Sequence, residues 1–373
     1  MLNSHARATA VNQGATGYLA IDLAAIGSNY SKLSSMLAPT RAGAVVKADA
    51  YGLGAIPVSR TLYAKGCRHF FVAHLMEALA LRPELEHDAQ IFVLNGLQPG
   101  SEFACAQAGL IPVLNSAEQF HRWSWAAREI KRKLPAVLQF DTGMSRLGIA
   151  PEDRPELAAA VRTCDDVKIL FAMSHLACAD ERDSQQNFHQ LAEMRRIVEE
   201  FPGLDMCFAN SGGVFLGAGY HGALARTGLA LYGGAPTTAL GNPMQPVVHL
   251  EVAVIQTRSV PAGARVGYGG SHVATARTAL ATIGAGYADG LPRGLGGRGA
   301  VYFKGQRLPI VGRVSMDSIT IDISALPEGS LTLGSRVEVI GAHQTLEDLA
   351  RDAGTISYEI LTSLGHRYQR TYC

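Results

Sequence analysis

Between residues 42 and 226 the chain repeats one pattern: a short apolar run, then a stretch with apolar positions three and four apart. The runs fall at 42–48, 69–73, 91–95, 110–114, 136–141, 169–175, 206–210 and 224–226. Helical spacing occupies 56–64, 117–130, 155–161 and 186–200. Strands alternating with helices predict parallel pairing through right-handed crossovers. Eight such units match an α/β fold, the (β/α)8 TIM barrel, whose sites lie at the C-terminal ends of the strands. A doubly wound open sheet satisfies the same count.

The pattern changes at Gly241-Asn242-Pro243. Strand-like runs then dominate, at 248–258, 279–283, 301–303, 308–311, 319–323 and 337–340, with Gly- and Pro-rich turns between them. This predicts a mostly antiparallel β-strand C-terminal domain, with short helices at 345–350 and 358–364. The expected division is a barrel over 1–245 and a β-rich domain over 246–373. Residues 1–16 are expected to be a loose extension. A helix is expected at 24–37, and the strand at 18–23 is a candidate to join the second domain instead of the first.

A chain of 373 residues has room for two cores. Its net charge of +1 points to neither nucleic acid nor an anionic membrane, so the expected partner is a small molecule. No stretch approaches the ~20 apolar residues of a membrane span. The six cysteines lie far apart with no Cys-x-x-Cys pair, so neither a metal site nor a disulfide framework is expected. With no apolar signal core at the N-terminus, these features predict a cytoplasmic protein.

Lys47 interrupts an apolar run just before the turn Tyr51-Gly52-Leu53-Gly54. A buried amine is costly unless paired or neutralised, and that cost is commonly accepted where the amine is a nucleophile. A salt-bridged structural lysine fits the same pattern. Other polar residues fall at expected strand ends: Arg146, His175, Asn210-Ser211 and Arg226. Singly, each reads equally as a hydrogen-bonding or ion-pairing structural residue. Together they fall on the face where barrels place their sites. Ser211-Gly212-Gly213 and the amides at Gly228 and Leu229 offer a phosphate cradle. Reactive lysine, phosphate cradle and arginine together suggest pyridoxal phosphate (PLP).

Ala44-Val45-Val46-Lys47-Ala48-Asp49-Ala50-Tyr51-Gly52-Leu53-Gly54 resembles the PLP-lysine motif of the bacterial alanine racemases. The likeness continues in order through Asp141-Thr142-Gly143-Met144-Ser145-Arg146, Ser174-His175-Leu176-Ala177 and Ala209-Asn210-Ser211. It recurs in Arg226-Thr227-Gly228-Leu229, Gly267-Tyr268-Gly269, Gly286-Tyr287-Ala288-Asp289-Gly290, Arg313-Val314-Ser315-Met316-Asp317 and Ser357-Tyr358-Glu359.

The resemblance implies a PLP-dependent racemase that interconverts L- and D-alanine as a homodimer with shared active sites. Lys47 would hold PLP covalently and act as one acid/base group. Tyr268 of the partner subunit would be the other, on the opposite face of the substrate Cα. A phenol of ordinary pKa ~10 is a weak base near neutral pH, so the site must favour the phenolate. His175 and Arg226 would be the supporting pair, with the imidazole bridging phenol and guanidinium. Arg226 would face the PLP pyridine nitrogen as a donor that keeps its proton. The phosphate positions would be Tyr51, Ser211, Gly228, Leu229 and Tyr358. Arg146 would contact both cofactor and substrate carboxylate, and Met316 and Asp317 of the partner subunit would contact substrate. Tyr268 and Tyr358 would narrow the entrance, with Asp180, Tyr287, Arg293 and Arg313 in the corridor outside it.

One departure matters. Many members of that family carry a carbamylated lysine two residues before Asp-Thr-Gly, where this chain has Gln139. A glutamine accepts a hydrogen bond but brings no negative charge. Arg146 is therefore expected to be held by Gln139 alone or by a bound anion such as chloride. The rivals are a broader-specificity racemase, a basic-amino-acid decarboxylase and a non-catalytic PLP carrier. The decarboxylases bring a cysteine loop where this chain has Ser315, and carriers usually lack a second domain. The D-alanine would serve peptidoglycan in the cell wall, or the enzyme would act in alanine catabolism.

Overall fold

The eight strands of the first unit are parallel and follow one another around a ring. The computed structural model describes residues 14–238 and 241–373. By internal contacts they divide into residues 24–245 and residues 14–23 with 246–373. The first strand, β1 (Gly17–Ile21), belongs to the second of these units.

In the first unit the strands are β2 (Arg41–Val45), β3 (His69–Val72), β4 (Gln90–Val93), β5 (Ile111–Leu114), β6 (Leu134–Gln139), β7 (Val167–Met173), β8 (Asp205–Cys207) and β9 (Leu224–Thr227). Their order runs β8-β7-β6-β5-β4-β3-β2-β9. Backbone hydrogen bonds from Ala223 to Met206 and from Arg226 to Ala209, both 2.8 Å, link β9 back to β8. The unit is a TIM barrel and not an open sheet. Runs such as His-Phe-Phe-Val in β3 are buried at every position, as parallel strands covered on both faces require.

The helices fit their sequences. Ala117–Glu129 starts where the Ser116 side chain accepts the Gln119 N–H, a cap of about 1 kcal/mol. Its Phe120, Trp123, Ala126 and Ala127 are buried. Gln185–Glu200 buries Leu191, Met194 and Ile197, and on the same stripe two amides, Asn187 and Gln190. Helices Leu75–Leu81 and Glu102–Gln107 were not expected, being too short for periodicity to register.

Several elements end earlier than the apolar pattern implies. β2 stops at Val45, so Lys47 lies beyond the strand and not at its end. β7 stops at Met173 and β8 at Cys207, which leaves His175 and Asn210 in the following loops. Hydrophobic continuity reports burial, and Val46, 1 % exposed, is buried without being in the strand.

The second unit is built on β10 (Val248–Val260). The small hairpin β11 (Arg265–Val266) and β12 (His272–Val273) follows, then β13 (Thr278–Ile283), β14 (Ala300–Phe303), β15 (Gln306–Pro309), β16 (Ile319–Asp322), β17 (Arg336–Ile340) and β18 (Gln369–Tyr372). The main path is β15-β14-β17-β10-β1-β18, with β13 joining β10 to β16. All pairs are antiparallel except β1 with β18. The strand expected at 308–311 begins at Gln306, because Lys304-Gly305, at φ 51° and 84°, forms a tight turn after β14. The extension expected over 1–16 lies outside the described residues as far as 13. Its last residue, Thr16, is tied to the sheet: its carbonyl accepts the Ala253 N–H at 2.7 Å and its hydroxyl donates to the Gly284 carbonyl.

Candidate active site

Beyond β2 the backbone turns left-handed for four residues, Ala48, Asp49, Ala50 and Tyr51, with φ between 51° and 56°. Each such residue costs roughly 1–2 kcal/mol, so the turn needs outside support. The Ala50 N–H reaches the Val46 carbonyl at 2.9 Å and the Gly54 N–H reaches the Asp49 carbonyl at 2.8 Å. Asp49 Oδ1 takes the Ala55 N–H at 2.7 Å, and Glu77 Oε1 takes the Ala48 N–H at 2.6 Å. Gly52 and Gly54, both at positive φ, let the chain leave the turn. Half-buried Lys47 stands at its start. Burial, then the charge of Arg146, lowers its amine pKa; Arg226 adds to this, while Glu77 opposes it.

The same turn carries Tyr51 inward. Its ring lies 4.7 Å from that of Tyr232, and its hydroxyl sits against Gly228, where a Cβ would be 2.5 Å from it. Any side chain there would force the Tyr51 hydroxyl to move. Asn210 caps the helix Ser211–Leu216 by accepting the Gly213 N–H. Buried Ser211 accepts the N–H groups of Gly228 and Ala230 at 2.8 and 3.2 Å. The amide between them, Leu229 N–H, has no acceptor among the described residues. Tyr51, Ser211, Gly228 and Leu229 thus come together as one cradle of small groups and donors.

Arg226, 3 % exposed, lies within β9. One guanidinium nitrogen donates to the Cys207 carbonyl at 2.8 Å, the other to the Ser174 carbonyl at 2.6 Å and toward His175 Nδ1 at 3.4 Å. No acceptor among the described residues engages its Nε. Burial, Arg226, Arg146 and Lys47 push the His175 imidazole down to about 3. It is therefore neutral near pH 7.

Arg146 is exposed on the loop after β6, yet its charge acts on both Lys47 and His175. The loop is shaped by Asp141 Oδ1, which accepts the N–H groups of Gly143, Met144 and Ser145. Gln139 is buried, and no hydrogen bond joins it to Arg146.

Sequence reading did not find the residues that hold this loop. Buried Arg154 donates to the Asp141 carbonyl at 2.9 Å and pairs with Glu193. Gln190, wholly buried, donates to the His175 carbonyl at 2.8 Å and to the Thr142 hydroxyl at 3.0 Å, and accepts the Ala177 N–H at 2.9 Å. Thr142 in turn bonds Ser174. The legible signal was an amide at position 190 on the apolar stripe of its helix. A buried polar group persists only when it is hydrogen-bonded.

The remaining candidates lie in the second unit. Tyr268 sits in the turn between β11 and β12, flanked by Gly267 and Gly269 at φ 73° and 68°, and is 71 % exposed. Met316 is also exposed, while Asp317 is paired with Arg367 at 2.6 Å. Arg367 also clamps buried Asp289 through two 2.7 Å bonds. Met316 is set by its carbonyl, which takes the Ala288 N–H. Tyr358 stands at the start of helix Ser357–Ser363, partly exposed.

Fold and electrostatics together define the class: a TIM barrel with a half-buried lysine of lowered pKa among polar residues beyond the C-terminal ends of its strands. Comparison with known proteins carries this further. The family model "Alanine racemase, N-terminal domain" matches residues 21–236, and "Alanine racemase, C-terminal domain" matches 247–372. A protein of Rhizobium johnstonii named "Alanine racemase, catabolic" is 71% identical, with 100% of this chain and 99% of that protein covered. The alanine racemase of Brucella ovis is 53% identical over 96% of this chain and 94% of its own. Among solved structures, the alanine racemase of Bartonella henselae with covalently bound pyridoxal phosphate superposes with a TM-score of 0.93. It is 43% identical, with 96% of this chain and 100% of that one covered. The chain belongs to the alanine racemase family.

Proposed function

We propose that this protein interconverts L- and D-alanine with pyridoxal phosphate held on Lys47, using Lys47 and Tyr268 of the partner subunit as two bases. The observation that carries the reading is the lowered pKa of Lys47, set by burial and by Arg146 and Arg226 at one end of the barrel. A depressed amine is unprotonated more often, and so is nucleophilic. The residues present fit the cofactor. Gly228 leaves open the space a Cβ would fill against Tyr51. The Leu229 N–H suits a phosphate, as does the Arg226 Nε a ring nitrogen, since neither has a protein acceptor among the described residues. When bound, the cofactor supplies an electron-withdrawing system that acidifies the substrate Cα–H.

The chain's own groups do the rest. Lys47 Nζ exchanges a proton with the substrate Cα on one face. The phenol oxygen of the partner subunit's Tyr268 does so on the other. The contact of Arg226 with His175 Nδ1 supports an imidazole proton on Nε2, from which it can donate to the phenolate and stabilise it. Arg146 receives the substrate carboxylate, with Met316 and Asp317 of the partner subunit at its side; Tyr358 completes the phosphate site. Gln139 and Arg146 together supply donors for a bound anion such as chloride.

Racemisation of L-alanine, followed by circular dichroism, tests the reading alongside the visible absorption of the holoenzyme. Lys47→Ala should abolish both; a retained visible band would overturn it. The catabolic name of the relative at 71% identity supports a role in alanine catabolism over supply for the cell wall. No helix among the described residues is long and apolar enough to cross a membrane. The free cysteines suit a reducing cytoplasm.

A further inference from the structure

Glu77 opens the helix Leu75–Leu81, and its first job is ordinary. Its Oε2 accepts the N–H groups of Ala73 and His74 at 2.7 and 3.0 Å, as the third residue of a capping box does. Capping needs nothing more. Yet Oε1 reaches out of the helix to the N–H of Ala48, 29 residues earlier, at 2.6 Å. That amide belongs to the residue after Lys47 and to the first residue of the left-handed turn.

We propose that Glu77 is a positioning residue for Lys47: one carboxylate oxygen fixes its own helix start, while the other pins the turn from which the lysine projects. The proposal rests on Lys47 being the cofactor lysine. Its energetic logic is local. Four left-handed non-glycine residues are strained, and Ala48 has no polar side chain with which to hold itself. A charged acceptor gives a stronger hydrogen bond than a neutral one. The carboxylate also sets the field. The charges acting on Lys47 are Arg146 from the loop after β6, Arg226 from β9 and Glu77; His175 is neutral beside them. Glu77 is the anion that keeps the amine from being depressed further.

Two substitutions in the full-length chain separate the two roles from simple capping. Glu77→Gln removes the charge. With the cofactor stripped, reductive methylation of Lys47 at a series of pH values, read by peptide mass spectrometry, should give a lower apparent pKa than in the wild type. An unchanged or raised value would overturn the field role. Glu77→Asp keeps the charge and can still cap, as Asp348 does at the same position in helix Leu346–Ala353. It is one methylene too short to reach Ala48 as well. Hydrogen exchange of the peptide spanning 46–53 should accelerate at least tenfold, with kcat falling roughly tenfold to a hundredfold. Exchange at the wild-type rate in Glu77→Asp would overturn the positioning role, and this variant decides the matter if Glu77→Gln does not fold. The visible band of Lys47→Ala, by contrast, tests only whether Lys47 holds the cofactor.

Discussion

Arg226 and His175 meet through one contact, guanidinium to Nδ1 at 3.4 Å, and it favours one tautomer of the imidazole. A guanidinium only donates, so Nδ1 accepts and the ring proton resides on Nε2. The same arginine, with burial as the larger cause, keeps the ring neutral. Replacing Arg226 with glutamine should raise the His175 pKa from about 3 by at least one unit, measured by NMR titration of the ring.

The depressed histidine also has a stability signature. Its native pKa of about 3 lies below the ordinary 6.5, so the unfolded chain binds the proton first as pH falls. Its contribution is fully present above pH 6.5 and is lost on acidification toward about 3. His175→Asn should flatten the fall of Tm across that window. A parallel decline in variant and wild type would contradict this.

Gln190 ties the loop carrying Arg146 to the loop carrying His175 through three hydrogen bonds. Gln190→Leu leaves buried partners unsatisfied at about 1–3 kcal/mol each. It should lower kcat roughly tenfold with little change in KM. Asn115→Leu is the matched control, since this buried amide bonds the Leu94 and Val113 carbonyls and none of the candidate residues. It should lower Tm and leave kcat alone.

Gly228→Ala would put a methyl group 2.5 Å from the Tyr51 hydroxyl. Cofactor release, followed by loss of visible absorbance on dialysis, should become at least tenfold faster. The double variant with Tyr51→Phe should recover part of that loss, because the oxygen is what the methyl meets.

The proposed sharing of sites between subunits is open to a mixing experiment. Lys47→Ala and Tyr268→Ala homodimers should each be nearly inactive. Subunit exchange should restore activity, because a mixed dimer contains one site with both residues intact. No recovery in a proven mixed dimer would contradict the shared site.

The sequence alone determined the alternation of strand and helix, the change of pattern near residue 243 and the positions of Lys47, His175 and Arg226 near strand ends. These are local properties: apolar spacing, glycine turns and polar residues interrupting buried runs. It misplaced the ends of β2, β7 and β8, because an apolar residue is buried alike in a strand or in the turn beyond it. Closure of the barrel, from Ala223 to Met206 and Arg226 to Ala209, was decided only by tertiary structure. So were the reach of Glu77 to Ala48 and the bridge through Gln190. These contacts join residues remote in sequence, and the charges that depress Lys47 and His175 come from a loop and a strand that only the folded ring brings together.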